Sequence, residues 1–274
     1  MRRLVFVLAL LGGARHVSAE MYGTTAISGI NPYTLVEVDV STGATTAVGD
    51  AFEFWTSLDT APDGVTLYAV DEHLFTINSA DGTYSDVGSL SFEGTTDIDT
   101  EAMSVSPGGD IYVISSRSDD PSGKERLYTV DAGTAAMTLV GELDQSKPIN
   151  AMEFAADGTL YAAYGDLYIL DPTSGAIVQT IGDLGAPYLD GLDIDQNGVM
   201  IGLNDFHNKL YTIDPAGSDG ALATHLVDVP NDELYSLASG SARGVPEPSS
   251  AALMWFAVAA VAALCGRRAR ICSN

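Results

Sequence analysis

Leu127-Tyr128-Thr129-Val130-Asp131 is one of five renderings of a single phrase, an apolar run that closes on an acidic or amide residue. The others are Leu35-Val36-Glu37-Val38-Asp39, Leu74-Phe75-Thr76-Ile77-Asn78, Leu167-Tyr168-Ile169-Leu170-Asp171 and Leu210-Tyr211-Thr212-Ile213-Asp214. From one closing residue to the next the spacings are 39, 53, 40 and 43. A repeat near 40 residues with strand-like content marks a β-propeller blade, a unit that buries its apolar faces only against its neighbours.

Turn signals on either side of each phrase divide the unit into four short antiparallel strands. In the second unit Ser57 to Ala61 leads to the turn Pro62-Asp63-Gly64, then Thr66 to Val70, the phrase itself, Asp81-Gly82, and Tyr84 to Gly88. Asp-Gly between apolar runs is a strong hairpin signal. The third and fourth units repeat the plan with turns at Pro107-Gly108-Gly109 and Asp157-Gly158, and the fifth with Gln196-Asn197-Gly198. The extra length of the third unit falls in Ser115 to Lys124, a polar stretch that reads as a surface loop.

The first unit lacks an opening strand, and Glu233 to Ala238 has the form of one with no blade after it. The chain is therefore expected to be all-β: a propeller of five four-stranded blades, closed by a C-terminal strand that completes the N-terminal blade and leaves no open sheet edge. A poorly matching sixth blade near Ser115 to Lys124 or Gly217 to Val229 stays open at this point. The phrases are apolar almost throughout rather than alternating, as suits sheets covered on both faces.

The ends read as addressing segments. Met1-Arg2-Arg3, the apolar run Leu4 to Leu11 and Val17-Ser18-Ala19 form a secretory signal peptide over residues 1–19. The propeller then occupies 20–244, and 245–270 is a separate tail. There Val245-Pro246-Glu247-Pro248-Ser249 precedes an Ala-rich apolar run, residues 251–265, and then Arg267-Arg268-Ala269-Arg270. The run with its flanks approaches the length of one transmembrane helix, with arginines on the cytoplasmic side. This three-part tail resembles the PEP-CTERM sorting signal, also called the ice-binding protein C-terminal domain. The resemblance implies processing by signal peptidase and exosortase, transient inner-membrane anchoring through 251–265, cleavage near Pro246, Glu247 and Pro248, and delivery to the cell surface or extracellular space. A plain C-terminal anchor is the alternative.

Residues 20–244 hold 36 Asp and Glu against six Lys and Arg, a formal balance of −30. Such a surface repels phosphate backbones and argues against nucleic acid as a partner, whereas divalent cations and cationic polymers suit it. An exported protein also stays soluble this way. The two cysteines, Cys265 and Cys272, lie in or beyond the tail, so the body has no disulfide to rely on.

Aligning the opening strands on Leu58, Met103, Met152, Leu192 and Leu237 places Thr56, Glu101, Asn150, Asp190 and Tyr235 two positions before them. Opening strands line the channel of a propeller, so this column converges near the axis. Glu101, Asn150 and Asp190 supply the hard oxygen donors that Ca²⁺ takes. At these residues the chain resembles the calcium-dependent gluconolactonase and regucalcin-like propellers, and the resemblance implies a metal held by Glu101, Asn150 and Asp190. That family is six-bladed where this chain has five units. The same residues also read as polar caps on strand starts around a wet channel. A second pattern, Asp193, Asp195 and Asn197 ahead of Gly198, matches the first half of a Ca²⁺ loop, but Asn204 stands where the closing Glu belongs.

No Gly-x-Ser-x-Gly elbow, His-Glu-x-x-His motif or phosphate-cradling glycine loop occurs. His73, His207 and His225 read as surface or packing residues, and Tyr128, Tyr168 and Tyr211 as core. The resulting expectation is an exported propeller of the broad quinoprotein-like or YVTN-like kind acting as a surface or matrix binding module for an extracellular polymer or protein, with Ca²⁺ as the one cofactor suggested. A calcium-dependent lactonase-type hydrolase and a purely structural matrix protein are the alternatives.

Overall fold

The structure is a computed structural model that describes residues 21–26, 33–49, 57–144, 146–185, 188–217, 222–229 and 233–240. Residues 1–19, Thr56, Pro246, Glu247, Pro248 and the apolar run 251–265 lie outside the described residues, so the expected signal peptide, sorting motif and membrane helix do too.

Five antiparallel sheets form the five blades. Blade 2 contains β4 (Ser57–Thr60), β5 (Thr66–Val70), β6 (His73–Asn78) and β7 (Tyr84–Ser89). Blade 3 contains β8 (Thr100–Val105), β9 (Ile111–Ser115), β10 (Arg126–Val130) and β11 (Met137–Glu142). Blade 4 runs through β12 (Ala151–Phe154), β13 (Leu160–Ala163), β14 (Asp166–Leu170) and β15 (Ile177–Asp183), and blade 5 through β16 (Gly191–Ile194), β17 (Met200–Asn204), β18 (Lys209–Ile213) and β19 (Ala223–Asp228). The inner strands β4, β8, β12 and β16 pack side by side around the channel.

Blade 1 is assembled from both ends of the chain. β1 (Met21–Ala26), β2 (Tyr33–Asp39) and β3 (Ala44–Ala47) receive β20 (Glu233–Leu234) and β21 (Ala238–Ser239) on the channel side of β1. The closing strand is thus split in two, a refinement of the single strand expected from sequence. At the break the carbonyl oxygen of Ser236 packs against Gly23, where a Cβ would lie only 2.6 Å from it. Thr24 Oγ1 and Ser236 Oγ, 2.8 Å apart, tie the bulge down. β21 contacts both β4 and β16, which closes the ring. The stretches considered for a sixth blade are accounted for: Ala223–Asp228 is the outer strand of blade 5, and the segment after Ser115 is a loop.

Why the phrase recurs is now visible. Its apolar residues fill five clusters, each between two neighbouring blades; Leu74, Met103 and Tyr128 share one, and Leu127, Met152 and Tyr168 the next. Both faces of every middle strand are therefore covered, which removes the in-out alternation. Tyr128 is fully buried, and its hydroxyl donates to Asp120, the carboxylate around which the 116–125 loop is folded. The residue that closes each phrase caps the following turn. The Oδ1 atoms of Asp39, Asn78, Asp131, Asp171 and Asp214 each accept a backbone N–H two residues on, at 2.9 to 3.0 Å. In blade 4 that turn ends at Gly175 with φ of 73°, and its backbone lies against Gly141 on the outer strand of blade 3. The acid-to-glycine turn is thus a latch from one blade to the next.

Inside the ring the inner strands carry a buried polar seam. Ser104 Oγ lies 3.1 Å from Asp59 Oδ2 and 3.2 Å from Glu153 Oε2, and accepts the Phe154 N–H at 3.0 Å. This seam joins blades 2, 3 and 4 where apolar packing is replaced by the channel.

Candidate functional site

Two kinds of segment meet at one end of the channel: the entries to the opening strands and the loops that join the second and third strands of each blade. Asp99, Thr100 and Glu101 from blade 3, Asn150 from blade 4, Asp190 and Asp205 from blade 5 and Tyr235 from blade 1 line one cavity of about 160 Å³ there. The sequence column of Glu101, Asn150, Asp190 and Tyr235 therefore shares a single wall. A cavity of that size can take a small ligand group.

The electrostatics are one-sided, since the described lining holds four carboxylates and neither lysine nor arginine. Asp190 is pushed up to about 7, first by burial, then by its hydrogen bond to Asp205 and the charge of Asp205, and more weakly by Glu101. The Asp205 N–H approaches Asp190 Oδ2 at 3.4 Å. In the lining burial raises Asp99, and outside it burial followed by the charge of Asp99 pushes Asp71 up to about 6. Burial also lifts Glu125, against the pull of Arg117, whose Nη2 donates to Glu125 Oε1 at 3.1 Å.

Buried Asn204 organises the blade 5 side. Its Nδ2 donates to the Tyr188 carbonyl at 2.5 Å, and its Oδ1 accepts the His207 N–H at 2.8 Å and faces His207 Nδ1 at 2.7 Å. One amide therefore fixes two segments, each of which carries a cavity carboxylate, Asp190 or Asp205, and an exposed aromatic ring, Tyr188 or Phe206. The Tyr188 ring stacks on Tyr164 with centroids 4.2 Å apart and planes 11° apart. Tyr164 reports the charges of Asp190 and Glu101, since burial first and then Tyr188 and these carboxylates raise its phenol. Tyr235 meets Tyr33 edge-to-face at 5.6 Å.

The donor chemistry of Glu101, Asn150 and Asp190 is of the hard-oxygen kind that Ca²⁺ takes, and all three line the one cavity. Among the described residues no three His, Cys, Asp or Glu side chains come close enough to hold one metal ion. The second pattern is dispersed by the fold. Asp195 Oδ1 accepts the N–H groups of Asn197 and Val199, and its Oδ2 accepts from Asn197 Nδ2, so these residues spend their polar atoms inside the β16–β17 turn at the opposite end of the inner strand. Asp193 lies buried on β16, and its Oδ1 faces the Ile194 N–H at 2.6 Å. His73 pairs with Asp86 at 3.0 Å and His225 with Asp228 at 2.9 Å, both near the surface.

Sequence reasoning missed Asp99, Asp205, Asp71 and the aromatic rim. Asp71 and Asp205 each directly follow the second strand of a blade, so aligning those loops as well as the strand entries was the available signal. Nothing local marks Tyr188 as the partner of Tyr164.

No protein-family model matches the chain, and no curated protein does. Solved structures match its shape. A symmetrical protein described in terms of de novo evolutionary emergence is 16% identical over 81% of this chain and 98% of its own length, with a TM-score of 0.52. A gluconolactonase from Xanthomonas campestris is 15% identical over 77% of each chain, with a TM-score of 0.50. TolB from Acinetobacter baumannii is 16% identical over 80% of this chain and 57% of its own, with a TM-score of 0.48. At these identities the likeness establishes the propeller fold alone.

Proposed function

We propose that the chain is an exported binding module, carried across the inner membrane by residues 1–19 and sorted to the cell surface through its Pro-Glu-Pro tail, whose working site is the acidic mouth of the channel. The observation that carries the reading is the shared cavity: Asp99, Glu101, Asp190 and Asp205 face a space for one small group, with no basic residue in the described lining. A rigid ring supports it, and in such folds the loops and channel mouth do the work. The group that suits this mouth is a cation.

The test is a binding titration of the purified full chain with cationic probes against an Asp190→Asn, Glu101→Gln double variant. Cations should bind and raise the melting temperature of the parent by mass action, and the variant should lose the response. A parent indifferent to every cation tested removes the mouth as a binding site. The second reading, a calcium-dependent lactonase-type hydrolase, is favoured by the one cavity that Glu101, Asn150 and Asp190 share. It requires lactone turnover that chelation abolishes.

A further inference from the structure

We propose that the inner strands of blades 2, 3 and 4 are clamped together by a proton kept on buried Glu153, and that the ring loosens when this proton is lost. The clamp is independent of what the mouth binds, since none of its residues lines the cavity.

Ser104 makes more contacts than its hydrogens can serve. A hydroxyl has one proton to donate and two lone pairs. One lone pair takes the Phe154 N–H at 3.0 Å. Two carboxylate oxygens also stand against Ser104 Oγ, Asp59 Oδ2 at 3.1 Å and Glu153 Oε2 at 3.2 Å. The hydroxyl can donate to one of them. Were both carboxylates ionised, the other contact would set lone pair against lone pair, at a place where Asp59, Ser104 and Glu153 are all buried. A carboxyl proton directed at the second lone pair of Ser104 resolves this.

The surroundings assign that proton to Glu153. Asp59 Oδ2 also accepts the Val105 N–H at 2.5 Å, and backbone donors of this kind favour the ionised form. Glu153 meets the opposite conditions. The titratable groups on the strands packed against β12 are Glu101 on β8, Tyr161 opposite Glu153 on β13 and Asp193 at the equivalent place on β16, with Asp59 on β4 across Ser104. All four are acids, and β4, β8, β12, β16 and β21 carry no lysine, arginine or histidine. Burial and like charge both favour the neutral carboxyl.

With its proton, Glu153 donates to Ser104, Ser104 donates to Asp59, and Asp59 accepts from Val105, a chain that crosses three blades. Without it, one donor is gone and two negative charges face each other across a single hydroxyl in a low dielectric. An unfolded glutamate releases its proton near pH 4.3, about two units below a neutral solution. The fold that keeps this proton therefore loses stability as pH rises above that value, until Glu153 itself ionises.

Infrared spectroscopy of the full chain at pH 7 tests the clamp through the carbonyl stretch of a protonated carboxyl group. Carbon-13 at the glutamate carboxyls should shift a component of that band, and Glu153→Gln, which keeps a donor toward Ser104, should abolish the shifted component. The labelled parent decides whether a glutamate holds a proton without needing any variant to fold. In thermal melts between pH 5 and pH 9, Glu153→Gln should gain steadily on the parent, and the Val105 and Phe154 amides should open more readily with rising pH in the parent than in the variant. The inference is overturned if no protonated band shifts with the label, if the shifted component survives in Glu153→Gln, or if the difference in melting temperature is constant with pH.

Discussion

Asp190 sets up a quantitative test of how the mouth stores charge. An unperturbed aspartate has a pKa of about 3.9, and in the folded chain Asp190 is pushed up to about 7. Between those values the folded protein holds a proton that the unfolded chain has released, so stability falls as pH rises from about 4 to about 7 and changes no further above that. Three units at about 1.4 kcal/mol each set a ceiling near 4 kcal/mol. Asp190 is only part-buried and shares its proton with Asp205, so screening reduces the working figure to about 1–2 kcal/mol. Asp190→Asn keeps a donor toward Asp205 and cannot ionise. Urea unfolding followed by circular dichroism at pH 4, 5.5, 7 and 8 should give equal stabilities at pH 4 and a variant more stable by about 1–2 kcal/mol at pH 8. A stability difference between parent and variant that does not vary with pH would refute the reasoning, because it means that Asp190 carries no extra proton in the fold.

The blade-to-blade latch predicts that Gly141→Ala is destabilising, since its Cβ would fall on the Ser174 carbonyl, with the carbonyl carbon 2.6 Å away. Overpacking against backbone costs about 1–3 kcal/mol, against a gain of about 0.4–1 kcal/mol from a stiffer unfolded chain, so the melting temperature should drop by several degrees. Gly133→Ala, whose Cβ would meet only Asp131 Oδ1 at an ordinary 3.5 Å, is the control and should melt at or above the parent. For the tail, replacing Pro246, Glu247 and Pro248 by alanine should hold the protein in the inner-membrane fraction of a host that sorts such tails, and fractionation with an antibody to the propeller would detect it; release equal to the parent's counts against exosortase processing.

The repeat carried the architecture in plain sight. Each phrase pairs with its own neighbours in sequence through short hairpins, and the turn residues Asp63-Gly64, Asp157-Gly158 and Asn197-Gly198 mark where the chain reverses, so strand count and blade count follow from local chemistry. Ring closure was also legible, because a unit without an opening strand and an opening strand without a unit complete each other. Half of the site was visible for the same reason: Glu101, Asn150 and Asp190 occupy equivalent places in successive repeats, and a ring turns equivalence into convergence.

What required the tertiary structure is everything set by contact between unlike positions. Asp205 reaches Asp190, and Tyr188 reaches Tyr164, across contacts between unlike positions, and buried Asn204 fixes both segments by hydrogen bonds that spacing does not encode. In the Asp193, Asp195 and Asn197 pattern the structure adds what spacing does not show, that Asp193 lies on β16 while Asp195 Oδ1 accepts two backbone N–H groups of the β16–β17 turn. Periodicity specifies what is repeated, because neighbouring strands and turns act locally. How the carboxylates stand relative to one another depends on how five blades close around one axis.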